Sequence, residues 1–186
     1  VEGQTEETFV RRILPESLAK SDVCVSGARC VETGRKKIRG LNITKSGKQE
    51  IIFRGGMPSF EKIRRDIERW LDEDSKAYLT TMFDLYALST DFPKYDYAIV
   101  LKDPYRKVKL LEEALRMEIS NPRFIPYIQL HEFEGLLFSD VKIMDDVLKP
   151  YHDYSKLEEL KCIRGRFNTP EEINDGFETA PSKRIL

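Results

Sequence analysis

Four acidic residues hold the best positions in this chain for chemistry. Glu2 lies in Val1-Glu2-Gly3-Gln4-Thr5-Glu6, Asp84 closes Tyr78-Leu79-Thr80-Thr81-Met82-Phe83-Asp84, and Glu132 and Glu134 follow Phe124-Ile125-Pro126-Tyr127-Ile128-Gln129-Leu130-His131. The last two groups each stand at the carboxyl end of a short apolar run that reads as a buried strand. Glu2 fits the same pattern if a strand precedes it. In an open parallel sheet, ligands bind in the crevice at the carboxyl ends of the strands. Carboxylates gathered there repel one another unless a cation neutralises them. Oxygen-only ligand sets suit Mg²⁺ or Mn²⁺. The expectation is a divalent-metal site with Glu2, Glu6, Asp84, Glu132 and Glu134 as candidate ligands.

Each acid also has a plainer reading. Glu6 and Glu7 suit the positive end of a helix dipole, and Asp84 could cap a helix over residues 85–88. Glu132 and Glu134 share a face on a strand but diverge by roughly 200° on a helix, so either could face the site. His131 could act as a ligand, as an acid/base group or as a satisfied core histidine. The chain has only two histidines, His131 and His152, so no zinc-type cluster is available.

The elements that must position these residues alternate. A helix is expected over residues 5–14, with Thr5 as N-cap, an apolar stripe of Phe9, Val10, Ile13 and Leu14, and Pro15 at its end. Ser59 should cap a helix carrying Phe60, Ile63, Ile67, Trp70 and Leu71 at helical spacing. Residues 78–83 read as a strand, Asp103-Pro104 opens a helix bearing Val108, Leu111, Leu115 and Ile119, and residues 124–130 read as a second strand. A short helix over 132–138 and helices over 145–149 and 155–164 follow, and Thr169-Pro170-Glu171-Glu172 reads as a capping box. This order implies an α/β fold with a mostly parallel sheet between helices.

Residues 23–54 stand apart as an inserted hairpin or arm, alternating weakly with a Ser46-Gly47 turn. Between Arg29 and Arg54, eight basic residues face two acids. Arg35, Lys36, Lys37, Arg39, Lys45 and Lys48 are therefore candidates for tracking a nucleic-acid backbone. A solvated hairpin or a protein-binding surface fits the same residues, and Phe53 alone gives little for bases to stack on.

The whole chain bears a net charge of -1 over 186 residues, so overall charge predicts neither nucleic-acid nor acidic partners. That length suggests one domain. Three cysteines without a CxxC pair fit a reducing cytoplasm and argue against a disulfide frame. No apolar run approaches the roughly 20 residues of a membrane span, and no P-loop is present. The chain opens on a strand-to-helix turn and stops within a helix-like segment, so residues are expected to be missing at both ends.

Together, Val1–Glu6, Thr80-Thr81-Met82-Phe83-Asp84-Leu85-Tyr86 and the long run from Phe124 to Asp140 resemble the motifs of a bacterial domain-of-unknown-function family. The resemblance extends through residues 170–176 and 179–184. That family is similar to Toprim domains of the OLD-nuclease and RloB-like type. The resemblance implies a Toprim-like, Rossmann-like fold in which a Glu after the first strand and an Asp-x-Asp after a later one hold Mg²⁺. Glu2 and Asp84 match the first two of these acids, and Tyr86 replaces the third. It further implies that Glu132 or Glu134 adds an acid and that Lys183 contacts phosphate, with His131 as a supporting or acid/base residue. The implied activity is metal-dependent cleavage of DNA or RNA. An AAA or ABC-type ATPase is the implied partner, often in phage defence, and an oligomer is compatible with this. The alternative is a non-catalytic docking or regulatory module on the same fold, with Tyr86 marking a degenerate site.

Overall fold

The computed structural model describes residues 1–31, 57–151, 154–173 and 181. The chain folds as helices around short parallel strands: α1 (Gln4–Arg12), α2 (Leu14–Ala19), α3 (Phe60–Glu73), β1 (Leu79–Thr80), β2 (Phe83–Asp84), α4 (Tyr95–Ile99), α5 (Pro104–Ile119), β3 (Phe124–Ile125), β4 (Ile128–Gln129), α6 (Val141–Leu148) and α7 (Leu157–Arg164). Among the described residues, no helix is long and apolar enough to cross a membrane.

The strands pair in parallel, β1 with β3 and β2 with β4. Leu79 faces Phe124, Thr80 faces Ile125, Phe83 faces Ile128 and Asp84 faces Gln129, so one register runs through both pairs. The two short sheets are a single strand pair interrupted in the middle. Pro126 causes the interruption, because it has no N–H to give to a ladder. The Thr81 hydroxyl fills the gap: it accepts from the Tyr127 N–H at 2.9 Å and donates to the Tyr127 carbonyl at 2.8 Å. The continuous strands expected over 78–83 and 124–130 are thus two stubs each.

Alternation along a strand sends successive side chains to opposite faces. Phe83, Phe124 and Ile128 point to one face, where α3 and α5 cover them and each is at most 2% exposed. Ile63, Ile67 and Leu71 from α3 and Leu111, Leu115 and Ile119 from α5 complete this core. Full burial of such a side chain stabilises by about 1.5–3 kcal/mol, so these stripes hold the helices on the strands. The opposite face carries Asp84 and the fully buried Gln129 at its carboxyl end, while Thr80, Ile125 and Tyr127 lie exposed along the rest. The helical cover expected on both faces is therefore incomplete over β1 and β3 among the described residues. A second, smaller cluster of Phe138, Met144, Leu160, Ile163 and Ile173 packs α6 and α7 together.

Several local expectations shift for identifiable reasons. The first helix starts from Gly3 rather than Thr5, because the Glu6 carboxylate reaches back to accept the Gly3 N–H at 2.9 Å. Pro15 does not end a helix but sits in the first turn of α2, where its missing N–H costs nothing. Ser59 precedes α3 without a side-chain cap, and Asp91 Oδ2 accepts the Phe60 N–H instead. Asp103 caps α5 as expected, accepting from the Tyr105 and Arg106 N–H groups. Asp140 likewise caps α6, which begins four residues before the expected start. Residues 133–140 form a 3-10 turn rather than an α-helix. Thr169 makes no side-chain cap, and Glu172 accepts from the Asn168 N–H and the Tyr105 hydroxyl.

Of the expected insertion, residues 23–31 are described and contain no strand. The Val1 nitrogen donates to the Arg29 carbonyl and the Val31 N–H donates to the Val1 carbonyl, the exchange a parallel ladder makes. Arg35, Lys36, Lys37, Arg39, Lys45 and Lys48 lie outside the described residues, as does Lys183.

The Thr81 bridge leads to a direct prediction. Thr81→Val keeps the shape but strands the Tyr127 N–H and carbonyl, and should destabilise by about 1–3 kcal/mol. Thr81→Ser should recover most of that loss. Urea denaturation of the three proteins measures it, and a Thr81→Val midpoint equal to wild type removes the bridge from the account of the strand pair.

Candidate functional site

The site forms where three segments meet at the carboxyl end of the strands. Val1, paired beside residues 29–31, delivers Glu2 in the turn before α1. The Asp84 N–H donates to Glu2 Oε2 at 3.3 Å, tying the turn to β2. Glu6 joins from the first turn of α1, and its carboxylate is held on Gly3. A Cβ at Gly3 would lie 2.8 Å from Glu6 Oε2, so glycine leaves room for this carboxylate to fold back. The 3-10 turn after His131 supplies the third segment, and the Phe133 N–H at its start lowers the Asp84 carboxyl pKa against the larger effect of burial.

Burial and mutual repulsion dominate the electrostatics. Burial first, then the charges of Glu2 and Glu6, push the Asp84 carboxyl up to about 8, against the pull of the Phe133 N–H. Burial also raises Glu2, to about 7, with Glu6 and Glu134 adding to the rise and the Asp84 N–H opposing it. Glu134 is raised by burial and then by Glu132 and Glu6. Asp84 Oδ1 is buried and has no hydrogen-bond partner among the described residues.

The two acids of the third motif separate in role. Glu134 exerts its charge on Glu2 and Asp84, whereas Glu132 acts on Tyr86 and His131. His131 takes the left-handed backbone conformation with φ 64°. Its imidazole stacks on Tyr86 with ring centroids 5.2 Å apart and planes 27° apart. Burial, followed by the nearby Lys107, favours its neutral form, and its Nδ1 is buried without a partner among the described residues.

Four of the five candidate ligands, Glu2, Glu6, Asp84 and Glu134, thus share one electrostatic neighbourhood. They do not converge on one point. Among the described residues, no group of three or more His, Cys, Asp and Glu side chains is gathered closely enough to hold a metal ion. The reason is visible in the bonds: the Glu6 carboxylate is turned onto Gly3 and the Glu2 carboxylate onto the Asp84 N–H. What remains is a carboxylate pair with an orphaned oxygen. Mg²⁺ commonly binds through one or two carboxylates and keeps several waters, so the pair fits such an ion without a full protein cage.

Two features escape a reading of the sequence alone. Gln129 is fully buried beside Asp84 and accepts the Tyr127 hydroxyl at 2.7 Å. The Tyr86–His131 stack follows from the register: the offset that pairs Asp84 with Gln129, carried two residues further, sets Tyr86 opposite His131.

The family profile for DUF4276, a domain of unknown function, matches residues 1–186. This chain belongs to that family. No curated protein and no solved structure matches the chain significantly.

The raised carboxyls give this DUF4276 domain a defined pH response. Glu2 and Asp84 bind protons more tightly in the folded chain than in the unfolded one, where they titrate near 4.5 and 3.8. The stability they contribute is fully present below about pH 4 and is lost as pH rises through about 8. Asp84→Asn should remove most of this loss, stabilising the metal-free protein at pH about 8 by on the order of 1–3 kcal/mol and leaving it unchanged near pH 4. Chelator-treated protein melted across this range measures the difference, and parallel pH profiles for the two proteins sink the assignment.

Proposed function

We propose that the Glu2–Asp84 pair holds a divalent cation, Mg²⁺ or Mn²⁺, and that the domain hydrolyses phosphodiester bonds in DNA or RNA. The observation that carries this reading is the orphaned, buried Asp84 Oδ1 beside the Glu2 carboxylate at the end of parallel strands. Two carboxyls raised by burial and repulsion are what a bound cation relieves. The resemblance of the three motifs to Toprim nucleases supports the same reading.

When bound, the cation supplies Lewis-acid stabilisation of phosphate oxygens and lowers the pKa of a water. The chain's own residues do the rest. Glu2 and Asp84 bind the ion, and Glu134 and Glu6 add negative charge behind them. The Phe133 N–H favours the charged form of Asp84. His131 adjoins Glu132, and its Nδ1, buried without a partner among the described residues, is the atom at which it would take up or hold a proton. Lys183 contacts phosphate in this reading, and the basic residues Arg35, Lys36, Lys37, Arg39, Lys45 and Lys48 follow the nucleic-acid backbone. An AAA or ABC-type ATPase partner and a role in bacterial defence come with the resemblance.

A second reading has its own support. Tyr86 stands where the resemblance expects a second Asp, and fewer than three ligands converge among the described residues. Both features suit a non-catalytic docking module. Metal binding separates the two readings. A cation at 100 times its dissociation constant stabilises the folded state by about 2.7 kcal/mol. Mn²⁺ should raise the melting temperature of wild type but not of Asp84→Ala or Glu2→Gln. The same substitutions should abolish Mn²⁺-dependent cleavage of labelled DNA or RNA. Equal Mn²⁺ stabilisation of all three proteins refutes the site. No stabilisation of wild type at millimolar Mn²⁺ favours the docking module.

A further inference from the structure

Tyr86 belongs to the 3-10 turn that leaves β2 directly after Asp84. Tyr86 is 57% exposed and stands two residues beyond Asp84, whose Oδ1 is buried. One face of its ring is backed by the His131 imidazole, with ring centroids 5.2 Å apart. Among the described residues, the Tyr86 hydroxyl makes no hydrogen bond, so no polar anchoring role explains the residue. His131 reaches the stack from a left-handed backbone, a conformation that costs roughly 1–2 kcal/mol per residue outside glycine. Local strain of that kind is tolerated where the surrounding structure imposes it and is concentrated at ligand sites.

A backed, exposed aromatic ring two residues from a phosphodiester-cleaving centre suits a flat partner within one nucleotide of the reacting phosphate. A ring of this kind stacks on the π-face of a base and offers a phosphate no comparable partner. A base inside a duplex has both faces covered by its neighbours, so only an unpaired base can present a face to the ring.

We propose that the Tyr86–His131 stack is a platform for one unpaired nucleobase of a single-stranded substrate, setting which phosphate meets the Glu2–Asp84 pair. The inference rests on the nuclease reading of that pair and adds the substrate class. Its test uses binding rather than cleavage, so the two can fail separately. Single-stranded oligonucleotides containing 2-aminopurine are titrated with the protein in Ca²⁺, alongside the same probe in a duplex. Wild type should change the probe's fluorescence in the single strand and not in the duplex. Tyr86→Leu should weaken single-strand binding roughly 5- to 150-fold, the range expected for loss of one base–aromatic stack. Tyr86→Phe should stay within about twofold of wild type, because it keeps the ring and loses only the hydroxyl. Far-UV circular dichroism and melting of Tyr86→Leu confirm that the exposed substitution leaves the fold intact.

Wild-type affinity in Tyr86→Leu overturns the platform, as does equal binding of duplex and single strand or a silent probe with wild type. Mn²⁺-dependent cleavage of duplex that survives Tyr86→Leu overturns it while leaving the metal site standing. A stacked probe together with no Mn²⁺ stabilisation and no Mn²⁺-dependent cleavage by wild type upholds base binding at the stack and overturns the nuclease reading instead.

Discussion

Parallel pairing of residues 79–84 with 124–129 in one register is the constraint on which the rest of this structure depends. It places Asp84 beside Gln129 and, beyond the strands, Tyr86 beside His131. It also sends the following turn, with Glu132 and Glu134, back over the strand ends. The pairing survives a proline in its centre only because the Thr81 hydroxyl substitutes for the missing ladder bonds. Parallel strands need a crossover between them, and α5 supplies it. The same helix buries Leu111, Leu115 and Ile119 against the strands it connects.

Arg123 secures the entry to this pairing. Its guanidinium donates to the Leu71, Asp74 and Ala77 carbonyls, closing the carboxyl end of α3 just before β1 begins. The Leu79 N–H then donates to the Arg123 carbonyl and starts the ladder. One residue thus joins the helix end, the first strand and the second strand. The sheet is short, yet it is held at both ends: by Arg123 at the amino end and by the Glu2–Asp84 contact at the carboxyl end.

The carboxyl end is held at an electrostatic cost. Glu2, Asp84 and Glu134 are crowded where burial already disfavours charge, Glu6 adds its own charge beside them, and the Val1 ammonium eases Glu2 only in part. The fold supplies partial relief through the Asp84 N–H, which donates to Glu2. One buried Asp84 oxygen is left without a partner. Buried polar atoms are nearly always satisfied, so such an exception in the middle of an acidic cluster draws attention to the site rather than to the core.

Much of this was legible in the residues themselves. The stripes of α3 and α5, the Asp103-Pro104 start and the apolar runs ending in acids depend on spacing along one element, and spacing is local. The strand pairing was legible only as a class, since α/β alternation implies parallel strands without naming their register. The Thr5 cap and the Pro15 stop gave way to local competitors: Glu6 folding onto Gly3, and a second helix beginning where the first ends. Sequence by itself indicated the α3 and α5 helices, the apolar runs that become the strand stubs, and the acids that follow those runs. Tertiary structure alone decided that Glu134 rather than Glu132 faces Glu2 and Asp84, that Gln129 is fully buried, and that Tyr86 stacks on His131. These are consequences of register between segments far apart in the chain, and a one-residue slip in register would send every side chain to the other face.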